Sequence, residues 1–203
     1  MDEPLAAVDK RAKERILGYL DRVLAEWRVP TLFVSHDQAD VRQLAKQVVV
    51  IDGGQVVATG PSAETLDLAL LTRLKEPQAP LNLLRVQAVE RVGDHWQGRV
   101  GTETIVLPAA AADAKQDAHG LAVQFLPRDV MLGHTPLVGI SARNQLHGHV
   151  REVVSLADRA YVAIDVGQFL WAELTLAAVA EMALAPGCPV ICYLKTSALT
   201  VVG

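Results

Sequence analysis

The hydrophobic spacing of this chain changes period once, and that change restricts the architectures open to it. Before residue 75 the pattern is mainly helical: Ile16, Leu17, Leu20, Val23, Leu24 and Trp27 share one face, so residues 10–27 are read as an amphipathic helix with Asp9 as its N-cap and Pro30 as its stop. A short strand at 31–35, a helix at 38–46, a hairpin of 47–52 with 55–59 around Gly53-Gly54, and a helix from Pro61-Ser62 to about Leu74 complete that stretch. Lys75-Glu-Pro-Gln-Ala-Pro80 then has the prolines and charges of a linker. Beyond it the alternation becomes two, with strands expected at 83–92, 97–100, 104–107 and 121–126, and Pro127–Leu132 read as continuing the last. Ala109–Ala118 reads as loop or short helix. Strands at 146–154, 159–166 and 169–173, a helix over 176–184 capped by Thr175, and a strand at 190–194 close the chain. Helices first and strands afterwards call for two bodies, 1–75 and 81–203.

Composition narrows the partners. A chain of 203 residues with 51% hydrophobic content can bury a core. Its net charge of −4 opposes general attraction to nucleic acid or anionic lipid, so any anion site has to be local. Cys188 and Cys192 lie along one strand face, which suits small buried hydrophobes rather than a disulfide. The chain holds no apolar run of spanning length and opens on Asp2-Glu3, so it is expected to be neither exported nor membrane-spanning by its own means.

Two stretches offer a chemistry. Ser141 and Arg143, with Lys195, Thr196 and Ser197, supply a guanidinium, an ammonium and hydroxyls with no carboxylate among them, a donor set suited to a small oxyanion. The two stretches are expected near opposite ends of their β-unit, with two chains completing each site. His147 and His149 share a strand face, but no third ligand is spaced to make a metal site with them. The run Ser141-Ala-Arg143-Asn144-Gln-Leu146-His-Gly148-His-Val150, followed by Pro186-Gly187, Val190 and Lys195-Thr-Ser197, resembles the molybdate-binding domain called Mop or TOBE. That resemblance implies an OB-like β-barrel that dimerises and binds molybdate or tungstate near the subunit interface, with 81–135 as the first half of the regulatory region and 140–203 as its Mop unit.

The N-terminal part carries a second resemblance. Asp2-Glu3-Pro4, Asp9 and Phe33-Val-Ser-His36-Asp37, separated by one helix and one strand, resemble the Walker B strand, D-loop and H-loop of an ABC-transporter ATPase. The resemblance implies that Asp2 holds Mg²⁺ through water, that Glu3 is the general base for attacking water, that Asp9 belongs to the D-loop, and that His36 contacts the γ-phosphate of ATP. Asp52-Gly-Gly-Gln55 is not the signature loop of such an enzyme, because it joins two strands and follows the Walker B stretch. No Gly-x-x-x-x-Gly-Lys-Ser/Thr occurs in the sequence, so the loop that cradles phosphates is missing and the chain is expected to be inactive towards ATP alone.

Together these features predict an α+β chain: a C-terminal remnant of an α/β ABC nucleotide-binding domain followed by an OB-like TOBE/Mop barrel. The function implied is that of a truncated ATP-binding subunit of a molybdate ABC importer, whose C-terminal domain senses the oxyanion. Its implied partners are a second copy of the chain and a membrane permease, with no nucleic acid, and its implied place is cytoplasmic and peripheral at the inner face of the cell membrane. A free-standing molybdate storage or carrier protein, or an ABC subunit for sulfate, iron or a sugar, are the alternatives.

Overall fold

The computed structural model describes residues 1–27, 30–114 and 120–202. The chain is mixed α and β and forms two compact units, Met1–Pro80 and Leu81–Val202.

In the first unit, α1 (Lys10–Trp27) starts where the Asp9 carboxylate accepts the Ala12 amide at 3.1 Å, and it buries Leu17. The expected strand at 31–35 is reduced to a single parallel bridge, Asp2 with Val34, flanked by hydrogen bonds from the Glu3 amide to the Val34 carbonyl (3.0 Å) and from the Val34 amide to the Met1 carbonyl (2.9 Å). Helix α2 (Gln38–Leu44) is capped by Asp37, which accepts from the Ala39 and Asp40 amides. Strands β1 (Gln47–Asp52) and β2 (Gln55–Pro61) form the hairpin, turning at Gly53 and Gly54 with φ of +55° and +78°, values that only glycine adopts without strain in a two-residue turn. Helix α3 (Ser62–Thr72) buries Leu66, Ala69, Leu70 and Leu71. An ion pair between Arg42 of α2 and Asp67 of α3 ties the two helices, and burial pushes the Arg42 guanidinium down to about 10.

The second unit repeats one pattern. Its first half runs β3 (Asn82–Val92), β4 (His95–Val100), β5 (Glu103–Leu107), a 3-10 turn at Ala109–Ala112, β6 (Leu121–Phe125), a 3-10 turn at Pro127–Asp129 and β7 (Val130–Gly133). Its second half runs β8 (Asn144–Ser155), β9 (Ala160–Asp165), β10 (Phe169–Leu174), α4 (Leu176–Glu181), β11 (Pro189–Leu194), a 3-10 turn at Thr196–Ala198 and β12 (Thr200–Val202). Each half contributes four strands to its own five-stranded antiparallel sheet and sends the fifth to the other. The orders are β12-β6-β3-β4-β5 and β10-β9-β8-β11-β7. Of the alanine-rich stretch, 109–112 form the turn, and residues 115–119 lie outside the described residues.

The exchange corrects the reading of Pro127–Leu132 as a continuation of the preceding strand. Pro127 has no amide to donate and fixes its φ, and the Asp129 carboxylate accepts the Leu126 amide at 3.2 Å, so the chain turns there. Val130–Gly133 then pairs with β11 in the other sheet, as Thr200–Val202 pairs with β6. One hydrophobic core consequently runs through both halves, from Leu84, Val86, Ile105 and Val123 to Leu146, Ile164, Leu170 and Leu194.

Polar clamps hold the halves in register. The buried Asn82 side chain donates to the Trp171 carbonyl (2.8 Å) and accepts its amide (2.7 Å), while Asn144 does the same to Val106, at 3.2 and 2.6 Å. Each asparagine opens the first strand of its half and grips the third strand of the other. Both first strands also bulge further along, after Gln87 and after Val150. The β4–β5 and β9–β10 turns meet back to back at Gly101 (φ +59°) and Gly167 (φ +92°), where a Cβ on either would lie 3.0 or 2.8 Å from the other's Cα.

Candidate functional site

The first unit brings two of its four candidate residues together. The short parallel pairing of Met1–Glu3 with Leu32–Val34 puts Glu3 and His36 at neighbouring strand ends, with His36 Nδ1 2.7 Å from Glu3 Oε1. That hydrogen bond, with the carboxylate's charge, holds the exposed imidazole above the usual histidine range. Asp2 enters the pairing through its backbone, and Asp9 is engaged as the cap of α1. Next to His36, Lys13 bridges Asp37 (2.5 Å) and Asp40 (2.9 Å). Burial opposes the Lys13 charge, but those two carboxylates outweigh it and hold the ammonium above its ordinary range. Burial pushes Asp40 up, whereas in Asp37 the same penalty is overcome by Lys13 and the Ala39 amide. The unit thus has a hydrogen-bonded acid–base pair on its surface. The sequence gives it no phosphate-cradling loop, so these residues by themselves do not fit a nucleotide.

The second unit corrects the expected separation of the oxyanion candidates. Strands β8 and β11 run antiparallel with Asn144 opposite Leu194, so Arg143 and Lys195, one step beyond that pair, leave the sheet at the same end. Ser141, Arg143, Lys195 and Ser197 are exposed. Among the described residues neither Arg143 nor Lys195 has a carboxylate in ion-pair contact. Thr196 is half-buried, and its Oγ1 is buried with no hydrogen-bond partner. A buried hydroxyl normally finds a partner, and one without is a place where a ligand or water completes the bonding.

Arg143 and Thr196 line one cleft of about 520 Å³. Its other wall comes from the β3–β4 hairpin, through Arg91, Asp94, His95 and Trp96, and from the end of β5 and the turn after it. Ser141, Lys195 and Ser197 are outside that lining. Asp94 is a carboxylate that the two candidate stretches themselves do not contain, and it stands at the cleft with its Oδ1 3.2 Å from His95 Nδ1. The hydrogen bond from His95, and more weakly the Arg143 charge, hold Asp94 below the usual carboxylate range. Sequence reasoning missed Arg91 and His95. Their signal was an arginine and a histidine on either side of a two-residue Gly93-Asp94 turn between two strands, which means little until the fold brings that turn and Arg143 to one cleft.

A larger cleft, of about 620 Å³, is lined by His134, His147 and His149 with Glu103 and Asp165. His147 Nδ1 is held by Glu103 at 3.0 Å, and the His134 ring faces the Met182 and Pro189 carbonyls. Among the described residues no group of three or more His, Cys, Asp or Glu side chains is arranged to hold a metal ion. Nor is any described helix long and apolar enough to cross a membrane.

Residues 140–201 match the TOBE domain. The molybdenum import ATP-binding protein ModC of Rhizobium etli is 32% identical over 207 residues, covering 98% of this chain and 56% of that protein. ModC of Rhizobium meliloti is 35% identical over 211 residues, with 98% and 56% covered. ModC of Yersinia pseudotuberculosis is 31% identical over 197, with 97% and 55% covered. The chain therefore spans about half the length of these relatives. Among solved structures, the cytoplasmic molybdate-binding protein ModG with molybdate bound aligns at 24% identity over 63% of this chain and 98% of that one, with a TM-score of 0.42.

Proposed function

We propose that the second unit, whose residues 140–201 match the TOBE domain in a chain similar along nearly all its length to molybdenum import ATP-binding proteins, binds molybdate as the oxyanion sensor of a molybdate importer. In this reading the chain corresponds to the C-terminal part of the importer's ATP-binding subunit. Glu3 and His36, already hydrogen-bonded, are then the general base and γ-phosphate contact of a nucleotide site whose phosphate-binding loop, Mg²⁺ and ATP belong to the longer protein, with Asp2 and Asp9 beside them. A second copy of the chain, a membrane permease and a position at the inner membrane face belong to the same proposal.

The observation that carries the reading is the cleft lined both by Arg143, which among the described residues has no carboxylate in ion-pair contact, and by Thr196, whose buried Oγ1 has no hydrogen-bond partner. A dianion leaving water has to recover its hydration from donors, and a guanidinium with a desolvated hydroxyl offers charge and hydrogen bonds in one place. Lys195, Ser141 and Ser197 are exposed at the end of the sheet where Arg143 leaves it, within the same donor-rich stretches. Tungstate, with the same charge and tetrahedral shape, is expected to bind as molybdate does, and the smaller sulfate more weakly.

Calorimetry on the 203-residue chain with molybdate, tungstate, sulfate and phosphate tests this. Arg143→Ala is expected to cost about 1.5–3 kcal/mol of molybdate binding, the range for a hydrogen bond lost to a charged group, and Thr196→Val about 1–2 kcal/mol. Both should leave folding stability nearly unchanged, because Arg143 is exposed and Thr196 Oγ1 bonds nothing within the protein. Tight molybdate binding that survives removal of both Arg143 and Lys195 overturns the assignment.

A further inference from the structure

His36 is placed by its backbone and not by packing. Its side chain is 81% exposed and hydrogen-bonds to Glu3, so the turn at 35–37 decides where the ring stands. In that turn the Asp37 amide donates to the Ser35 hydroxyl (3.1 Å), and Asp37 Oδ1 accepts the Ala39 and Asp40 amides (2.9 and 3.4 Å) as the cap of α2. The other carboxylate oxygen, Oδ2, lies 2.5 Å from the Lys13 ammonium of α1, and the same ammonium reaches Asp40 Oδ1 at 2.9 Å. Lys13 is a poor choice for α1 itself, because it stands in the first turn, where the helix dipole disfavours a cation. Asp40 is buried, and a buried carboxylate needs a cation beside it. The bridge offsets both, and it joins the start of α1 to the start of α2. We propose that Lys13 is a positioning residue for His36: by gripping Asp37 and Asp40 it holds the turn that sets the imidazole against Glu3. This rests on the reading of Glu3 and His36 as general base and γ-phosphate contact, and adds the residue that keeps one against the other. The Lys13 amide also donates to the Asp9 carbonyl at 2.8 Å, so in that reading the bridge ties the Asp9 stretch to the γ-phosphate contact.

Charge and position predict opposite effects on His36. The Lys13 ammonium opposes protonation of the imidazole, whereas Asp37 favours it. Removing Lys13 takes away the first and leaves Asp37 without its partner, so charge alone would carry the histidine titration upward. If the bridge holds the turn, its loss frees the ring from Glu3, the largest influence raising that titration, and the midpoint falls. The direction of the change therefore separates a residue that positions His36 from one that is merely a charge nearby.

NMR titration of the His36 ring in the 203-residue chain is the test, with Glu3→Gln marking the midpoint of a ring that has lost its carboxylate. Lys13→Met is expected to bring the midpoint down towards that mark. Lys13→Arg, which keeps a cation for both carboxylates, should leave it near wild type. Amide exchange at Glu3 and Val34, which donate to the Val34 and Met1 carbonyls, checks that the unit stays folded. A midpoint that stays or rises in Lys13→Met, with that protection kept, overturns the proposal, as does a wild-type midpoint no higher than that of Glu3→Gln. If Lys13→Met loses the protection, Lys13→Gln, which keeps a donor for Asp37, is read in its place with the same expected direction. Protection lost in both variants makes Lys13 a support of the whole unit rather than of the histidine, and likewise overturns it. The titration uses no nucleotide, so it can fail while the assignment of His36 to a γ-phosphate stands, and succeed while that assignment is wrong.

Discussion

The two halves of the second unit share a backbone plan and differ in chemistry. Each starts its first strand with a buried asparagine, bulges that strand, and ends with a 3-10 turn and a short strand given to the other half. The residue before the asparagine is Leu81 in the first half and Arg143 in the second. The residue capping the last turn is Leu126 in the first and Lys195 in the second, followed by Pro127 and Thr196 respectively. The scaffold is therefore used twice, and the candidate oxyanion donors stand on one copy. Residues at strand ends can therefore differ between the halves without altering the pairing of the sheets.

If the repeat is what holds the unit together, the two asparagine clamps are where it breaks most severely. Asn82→Ala removes both side-chain bonds to the Trp171 backbone in a buried setting, and about 2–6 kcal/mol of stability should be lost, two backbone groups at roughly 1–3 kcal/mol each. Asn144→Ala frees the same two groups of Val106, but Val106 is half-buried and water can reach it, so the cost should be smaller. Urea unfolding of both variants measures the difference. Equal losses would mean that exposure at the clamped strand does not matter, and a negligible loss at Asn82 would remove the clamp from the argument.

The back-to-back turns are the next place to press. Gly101→Ala and Gly167→Ala each force an L residue into positive φ and push a Cβ into the backbone of the opposing turn, so each is expected to cost about 1–3 kcal/mol. Gly139 has a positive φ of +73° with no atom within 4 Å of the added Cβ, so Gly139→Ala isolates the backbone strain and should cost less than either. The excess over Gly139 is the contribution of the close approach. If the three variants melt alike, the halves do not depend on contact at these turns.

The periods in the sequence were enough to separate the helical first unit from the stranded second, and to place most strands within a few residues. They did not show the repeat, because its two copies keep the pattern of burial rather than the residues: Leu81-Asn-Leu-Leu-Arg-Val86 and Arg143-Asn-Gln-Leu-His-Gly148 share little beyond the asparagine and an apolar fourth residue. Nor did they show the strand exchange, since alternation says that a segment is a strand and nothing about its neighbour. Glu3 and His36 were singled out by separate motifs, and that the structure sets the two 2.7 Å apart was not read from the sequence. The relation of Arg143 to Lys195 was misread because antiparallel pairing folds the two ends of a segment onto one side. Arg91, Asp94 and His95 were invisible because only the docking of one half on the other gives a hairpin tip a partner.

The smallest expected effects come from the second pair of cross-half contacts, and they test how far the equivalence extends. Gln168 accepts the Arg85 amide at 2.9 Å and donates to the Arg85 carbonyl at 2.7 Å, whereas Glu103, in the corresponding place, accepts the His147 amide at 3.3 Å and binds its ring at 3.0 Å. An amide side chain can serve both backbone groups of a residue, and a carboxylate can serve only the donor. Gln168→Glu should therefore remove the bond to the Arg85 carbonyl and set an anion against it, at a cost of about 1–2 kcal/mol. Glu103→Gln restores the missing donor while changing the carboxylate contact to a largely exposed histidine ring, and these nearly offset, leaving a change within about 1 kcal/mol. Thermal melts of the two variants and of the double exchange decide the matter. A Gln168→Glu chain no less stable than wild type would show that the two contacts, though placed alike, are not performing the same task. In that case the equivalence of the halves stops at the asparagines and the glycine turns.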